Sequence, residues 1–292
     1  NVSLTCGVNT TFNVSGDGEH NVTLYANDTF GNVGSDFVSF LVSTTGPVIT
    51  LHEPLNDTYY SFEPVSVFFN YTPQDPDGVE ACSLYGSWNN GWHLNHTNFT
   101  IYNVTPNNFT LGLSGEGSYL WNVECNDSLA FYSFAFKNFT VGIDLTNPLL
   151  SYQLPTEVND SNFSRSWVAF SGNVTENNTA NITFILTNNS GYYNATTFMM
   201  KNQSVNNTLN FTNLVDGRYY YNISVTDKAG RTNVTLTRTI FLDTLDPEGN
   251  ATAPANNSYQ NNATQNFTGN FLDDIELSNV TLYIYNATGQ LI

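Results

Sequence analysis

The sequence predicts an all-β protein of tandem β-sandwich domains that repeat about every 100 residues. Three observations predict it. A strand-like segment recurs as Gly18–Asp28, Gly117–Asp127 and Gly217–Asp227, at spacings of 99 and 100 residues. Each copy alternates apolar and polar side chains with the period of two that a half-buried strand requires. No stretch carries a helical period of useful length.

Within the recurring strand, Val22, Leu24 and Ala26 fall on one face, matched by Trp121, Val123 and Cys125 and by Tyr221, Ile223 and Val225. Asn21, Asn122 and Asn222 take the other face, expected to meet solvent. A second strand precedes it. Cys82 and Leu84, Ile182 and Phe184, and Val280 and Leu282 hold matching inward positions, at spacings of 100 and 98. A glycine follows nine residues later in every case, at Gly91, Gly191 and Gly289. Asn90-Gly91 reads as a type I′ hairpin, because both central positions need positive φ. Pro47, Pro148 and Pro247 mark the boundaries, about twenty residues after each strand's terminal Asp.

These marks divide the chain into the C-terminal half of a domain (1–45), two complete domains (46–146 and 147–245) and the N-terminal half of another (246–292). Joined end to start, the distance from Asp227 to the next Asp28 is 93 residues, close to the period. A half-sandwich leaves one apolar face uncovered and its edges unpaired. The faces on offer are Val22, Leu24, Phe37 and Phe40 on one half and Phe271, Val280 and Leu282 on the other. One expectation is therefore an identical copy completing each half, a heterologous contact that builds a head-to-tail polymer. A second is a longer chain of which 292 residues are one period, and a third is a window from a non-identical array. With no initiator Met and no signal peptide, a processed or excised segment is expected.

Composition narrows the function classes. Only 11% of residues are charged, yet 25 Asp+Glu against 7 Lys+Arg give a net charge of −18. There is no basic patch for nucleic acid and no run of about 18 apolar residues to span a bilayer. With 44 Asn and 59 Ser+Thr, about nine Asn-X-Ser/Thr triplets are expected by chance, and there are 31. Each is a candidate N-glycan acceptor on a secreted or cell-surface protein. In the first half-domain they are Asn1, Asn9, Asn13, Asn21 and Asn27. In 46–146 they are Asn56, Asn70, Asn95, Asn98, Asn103, Asn108, Asn126 and Asn138. In 147–245 they are Asn159, Asn162, Asn173, Asn177, Asn181, Asn188, Asn194, Asn202, Asn206, Asn210, Asn222 and Asn233. The last segment adds Asn250, Asn256, Asn262, Asn266, Asn279 and Asn286. A sugar coat of this density would shield sheet edges and keep a chain with so few charges soluble.

Cys82 and Cys125 occupy the inward positions of the two recurring strands, where the next repeat has Ile182 and Val225 and the split one has Val280 and Ala26. A disulfide is expected in an oxidising compartment. Two buried thiols are the alternative, and no third soft ligand recurs nearby to make a metal site. Cys6 has no partner in its own repeat and reads as a free thiol or an intermolecular bridge.

Cys82-Ser-Leu-Tyr85, Tyr119-Leu-Trp-Asn-Val-Glu-Cys-Asn-Asp127 and Asp144-Leu-Thr-Asn-Pro148 together resemble the tandem Ig-like repeats of archaeal cell-surface proteins. The resemblance implies Ig-like sandwiches and roles in surface layers, adhesion and filaments. It departs in the 147–245 repeat, which lacks both cysteines, and at Asn126-Asp-Ser-Leu-Ala-Phe131, which lacks the Gly-Asn turn of Gly31-Asn32.

Acidic residues precede the second strand as Asp75, Asp77 and Glu80 and again as Asp273, Asp274 and Glu276. Solvated turns are expected, with Ca²⁺ binding through hard oxygen ligands the alternative. Trp88, Trp92, His93 and His96 crowd the Asn90-Gly91 turn and are expected to cover the sandwich end or pack on glycans, with stacking on sugar rings or metal ligation by the two histidines the alternatives. No nucleophile–base–acid set and no phosphate loop is visible, and no catalytic residue or further cofactor is expected. Lys137, Lys201 and Lys228 give no pattern for isopeptide cross-links. The expectation is a non-enzymatic structural subunit of an N-glycosylated extracellular filament or surface layer. An adhesin module, or the spacer of a large secreted enzyme, is the alternative.

Overall fold

The structure, a computed structural model, describes residues 3–5, 7–200 and 206–292, without the side chains of Asn206 and Asn207. Asn1, Cys6, Lys201, Asn202 and the side chain of Asn206 lie outside the described residues. The described chain is all-β and divides into two units, residues 1–145 and 146–292.

The first unit opens with a hairpin of β1 (Gly18–Asn27) and β2 (Val33–Val42), paired from Gly18 opposite Val42 to Asn27 opposite Val33. A complete sandwich follows. Its strands are β3 (Val48–Glu53), β4 (Thr58–Tyr60), β5 (Val65–Gln74), β6 (Val79–Gly86), β7 (His93–Asn98), β8 (Asn107–Leu113), β9 (Gly117–Asp127), β10 (Tyr132–Phe134) and β11 (Phe139–Ile143). One sheet runs β3-β5-β8. The other runs β4-β11-β9-β6-β7, with β10 on the end of β9. All pairs are antiparallel except β4 with β11. Two such sheets, closed by hairpins and one parallel edge pair, make an Ig-like sandwich.

Alternation explains which faces meet. Along β5, Val65, Val67, Phe69 and Tyr71 point inward against Leu84, Trp121, Val123 and Val141 of the facing sheet. Full burial of each such side chain contributes about 1.5–3 kcal/mol. Phe69 stands edge-on to Trp121 at 4.9 Å and 5.4 Å from Trp88. Cys82 and Cys125 lie opposite one another on neighbouring strands and form the expected disulfide.

The second unit repeats this plan. Its strands are β12 (Leu149–Tyr152), β13 (Ser161–Phe163), β14 (Val168–Thr175), β15 (Thr179–Asn188), β16 (Tyr193–Met199), β17 (Asn206–Phe211), β18 (Gly217–Asp227), β19 (Thr232–Val234) and β20 (Arg238–Leu242). The sheets are β12-β14-β17 and β13-β20-β18-β15-β16, with β19 on β18. Ile182 lies opposite Val225, where the first sandwich has its disulfide. Phe170 stacks on Tyr221 at 4.3 Å in the core. The C-terminal segment forms a hairpin of β21 (Glu248–Ala253) and β22 (Thr268–Leu272), after which a single bridge joins Tyr285 to Leu291.

Five expectations are corrected. The strand through Val280 and Leu282 does not form, and both side chains are exposed. Its counterpart β15 is held between β16 and β18, and the C-terminal segment has no strand to take the place of β18. Phe37 does not share a face with Val22: it pairs with Thr23, while Val22 pairs with Val38 and His20 with Phe40. Residues 37 and 40 differ in parity, and a strand of period two sends them to opposite faces. Asn122 is buried, because the chain after β10 folds over it, with its Nδ2 donating to Ala135 O and Asn138 Oδ1. The Asn90-Gly91 turn is part of a six-residue connection, residues 87–92, in which three successive residues, Asn89, Asn90 and Gly91, take positive φ. That longer path lets Trp88 turn into the core, where its ring fills the space a Cβ on Gly86 would need.

Candidate functional site

Three features hold the sequence-predicted residues. The first is the acidic end of the complete sandwich in unit one. Asp127 and Asp227 end β9 and β18, Asp28 directly follows β1, and the three shape equivalent turns. In each, the Asp N–H bonds the carbonyl four residues on, and the residue three on returns a bond to the Asp carbonyl. Asp127 Oδ1 accepts from Leu129 N at 2.9 Å and Phe131 N at 2.8 Å, fixing the side chain. Its Oδ2 is buried without a hydrogen-bond partner. The Asp75–Gly78 turn between β5 and β6 brings two more carboxylates to it. Asp75 Oδ1 accepts from Asp77 N at 3.1 Å, and both Asp77 oxygens are buried without a partner. One ligand atom from each of Asp75, Asp77 and Asp127 lies within 4.8 Å of the others. Burial, followed by the nearby Asp77 and Asp127 carboxylates, pushes the Asp75 carboxyl up to about 6. Asn103 pins the turn, accepting from Asp75 N at 3.0 Å and donating to Asp75 O at 2.6 Å.

The other acidic pair behaves differently. Asp273 Oδ1 accepts from Ile275 N and Glu276 N. Asp274 approaches Asp216 and Asp243 in half-exposed surroundings, where Asp216 already accepts from Thr244 Oγ1. In the sequence, the only mark on Asp127 is its recurrence at positions 28, 127 and 227 as the terminal Asp of the repeated strand.

The second feature is aromatic. Trp92 is 43% exposed and stacks on Tyr85 at 6.0 Å, with Phe134 beside both. Phe136, Lys137 and the acceptor Asn138 line the same shallow hollow. Trp88 belongs to the core and not to this shelf. The two nearby histidines do not converge: His93 Nδ1 meets Gly91 O, and His96 meets the Phe109 ring edge.

The third feature is the distribution of glycan acceptors. Among those whose side chains are described, Asn126 alone is buried. Its Nδ2 donates to Glu80 Oε2 at 2.9 Å and Asp127 O at 3.0 Å, occupying the atom a sugar would need. Asn21, on the outer face of β1, is exposed. The expected interface residues Leu24, Phe37, Val280 and Leu282 are likewise exposed, and Val22, Phe40 and Phe271 half-buried.

The sequence matches no protein-family profile and no curated protein. Solved structures to which the chain is similar include tandem modules. Fibronectin(III)-like modules of Clostridium thermocellum CbhA are 10% identical with a TM-score of 0.39, over 67% of this chain and 93% of theirs. The FN1–FN3 domains of chicken CNTN1 are 13% identical with a TM-score of 0.43, over 73% of this chain and 72% of theirs. A tetra-tandem repeat from the extending region of a large adhesion protein is 17% identical with a TM-score of 0.35, over 94% of this chain and 69% of its own. The Ig-like assignment rests on the strand pairing itself.

Proposed function

We propose that this chain is a structural repeat unit of an N-glycosylated extracellular filament or surface layer, joined head-to-tail by completion of a split Ig-like domain. One observation carries the reading. The segment after β22 has the inward side chains of β6 and β15 yet no neighbouring strand, and β1–β2 has the strand that would fill the vacant place. Equivalence with Cys82–Cys125 and Ile182–Val225 sets Val280 opposite Ala26 and Leu282 opposite Leu24. Strand addition of this kind pairs the free backbone groups and buries both apolar faces together. Exposed acceptor asparagines on every segment suit a sugar-coated surface protein, and the disulfide suits an oxidising compartment.

The register makes the test. In a Cys6→Ser background, chains carrying Ala26→Cys are mixed with chains carrying Val280→Cys under mild oxidation. Rapid formation of an intermolecular disulfide is expected, with Thr281→Cys, one residue out of phase, as the slow control. Equal rates for Val280→Cys and Thr281→Cys, or a chain that stays monomeric at every concentration, would overturn the proposal. The reading that then takes over is the adhesin module, favoured by the Trp92–Tyr85–Phe134 shelf.

A further inference from the structure

We propose that Asp75, Asp77 and Asp127 form a Ca²⁺ site at the β5–β6 end of the 46–146 sandwich. The argument begins with an orphaned charge. Asp127 is 0% exposed; its Oδ1 is committed to two backbone N–H groups, its Oδ2 is buried without a partner, and its carboxylate lies within 4.8 Å of an oxygen of Asp75 and of Asp77. The two Asp77 oxygens are equally unpaired. Three buried acceptor atoms with no donor carry a desolvation penalty that a folded protein retains only when something repays it.

Among the described residues, no side chain of this unit repays it. Lys137 is the single Lys or Arg among residues 1–145, and its Nζ lies over the Phe139 ring. A bound cation answers both deficits, charge and coordination. The donors are carboxylate oxygens, with no imidazole or thiolate in the cluster, which selects a hard ion. The site draws its ligands from the Asp75–Gly78 turn and the end of β9, positions the fold brings together from distant parts of the chain. Ca²⁺ takes six to eight oxygens in flexible geometry and completes its shell with water or carbonyls, whereas Mg²⁺ demands a near-ideal octahedron. Asn103, holding the Asp75 backbone from both sides, is a positioning residue for the turn.

The ion would act as a clasp. It would tie the β5–β6 turn to the strand that carries Cys125, so that the loop bearing Asp75 and Asp77 and the turn after β9 resist opening together. Neither surface occupancy by sugar nor head-to-tail joining is required for this site to exist.

The test uses the full chain with its disulfide intact, stripped with EDTA and titrated with CaCl₂ by calorimetry and thermal melting. Asp77→Asn is the informative variant, because neither side-chain oxygen supports a hydrogen bond whose loss would unfold the turn. The wild type is expected to gain melting temperature with Ca²⁺, and Asp77→Asn to lose one equivalent of binding or weaken it at least tenfold. In EDTA the variant should melt above the wild type, since one repelling carboxylate is gone; in Ca²⁺ the order should reverse. Asp274→Asn, in the other unit, should leave the Asp77-dependent equivalent in place. Superimposed EDTA and Ca²⁺ melts for the wild type, unchanged binding in Asp77→Asn, or equal effects of Mg²⁺ and Ca²⁺ would overturn the proposal.

Discussion

Thr179–Asn188 and the segment around Val280–Tyr285 carry the same alternation, yet one is a ten-residue strand and the other is not. Ile182 and Phe184 are fully buried, while Val280 and Leu282 are about half exposed. Nothing in the side chains of the two segments accounts for the difference. β15 has a neighbour on each side, and its backbone groups are paired along both edges. The later segment has no neighbouring strand, only the single bridge from Tyr285 to Leu291. Alternation therefore decides which face of a strand will be apolar, and the neighbouring strand decides whether the strand exists.

Truncation measures this contrast most directly. Phe184→Ala should destabilise the 147–245 sandwich by about 3–5 kcal/mol, because the ring is fully enclosed. Leu282→Ala should leave the melting of the monomeric chain within about 0.5 kcal/mol, as surface substitutions do. A comparable loss at both positions, seen in urea unfolding of the two variants, would mean that the C-terminal segment is already packed in solution.

The pairs at the centre of the two complete sandwiches offer a second contrast. Cys82–Cys125 closes a loop of 43 residues, which by chain entropy stabilises by about 3–4 kcal/mol. Ile182 and Val225 hold the same register without a covalent bond. Reduction should therefore lower the melting transition of 46–146 and leave that of 147–245 in place. Two-domain calorimetry with and without dithiothreitol reads this directly, and a transition that shifts for both domains would indicate that the two units do not melt independently.

Much of the fold was legible because burial follows parity. The inward sets on β9 and β18 and the Cys82–Cys125 pairing follow from alternation and from the period. The acidic site was half legible. Asp75 and Asp77 announce themselves as neighbours in sequence, but the burial of Asp127 against them arises only when the end of β9 meets the β5–β6 turn. Trp88 was misplaced for a similar reason. Its environment is set by the length of the connection after Gly86, which decides whether the ring turns inward or outward, and a local turn motif does not encode that length.

The smallest effect sits in the turn that the three repeats share. Gly31 and Gly230 follow Asp28 and Asp227 by three residues at φ of 88° and 82°, and Ala130 holds the equivalent place after Asp127 at 64°. A Cβ in the left-handed region costs about 1 kcal/mol, and the turn is retained because Asp127 Oδ1 anchors it through two backbone N–H groups. Ala130→Gly removes that cost but loosens the unfolded chain, which returns part of the gain. The net expectation is a stabilisation of about 0.5 kcal/mol in 46–146, read as a small rise in urea midpoint at constant slope. The reverse change, Gly230→Ala, should cost about 1 kcal/mol in 147–245. If the two substitutions moved stability in the same direction, the turns would not be equivalent, and the structural kinship of Asp127 with Asp28 and Asp227 would fail with them.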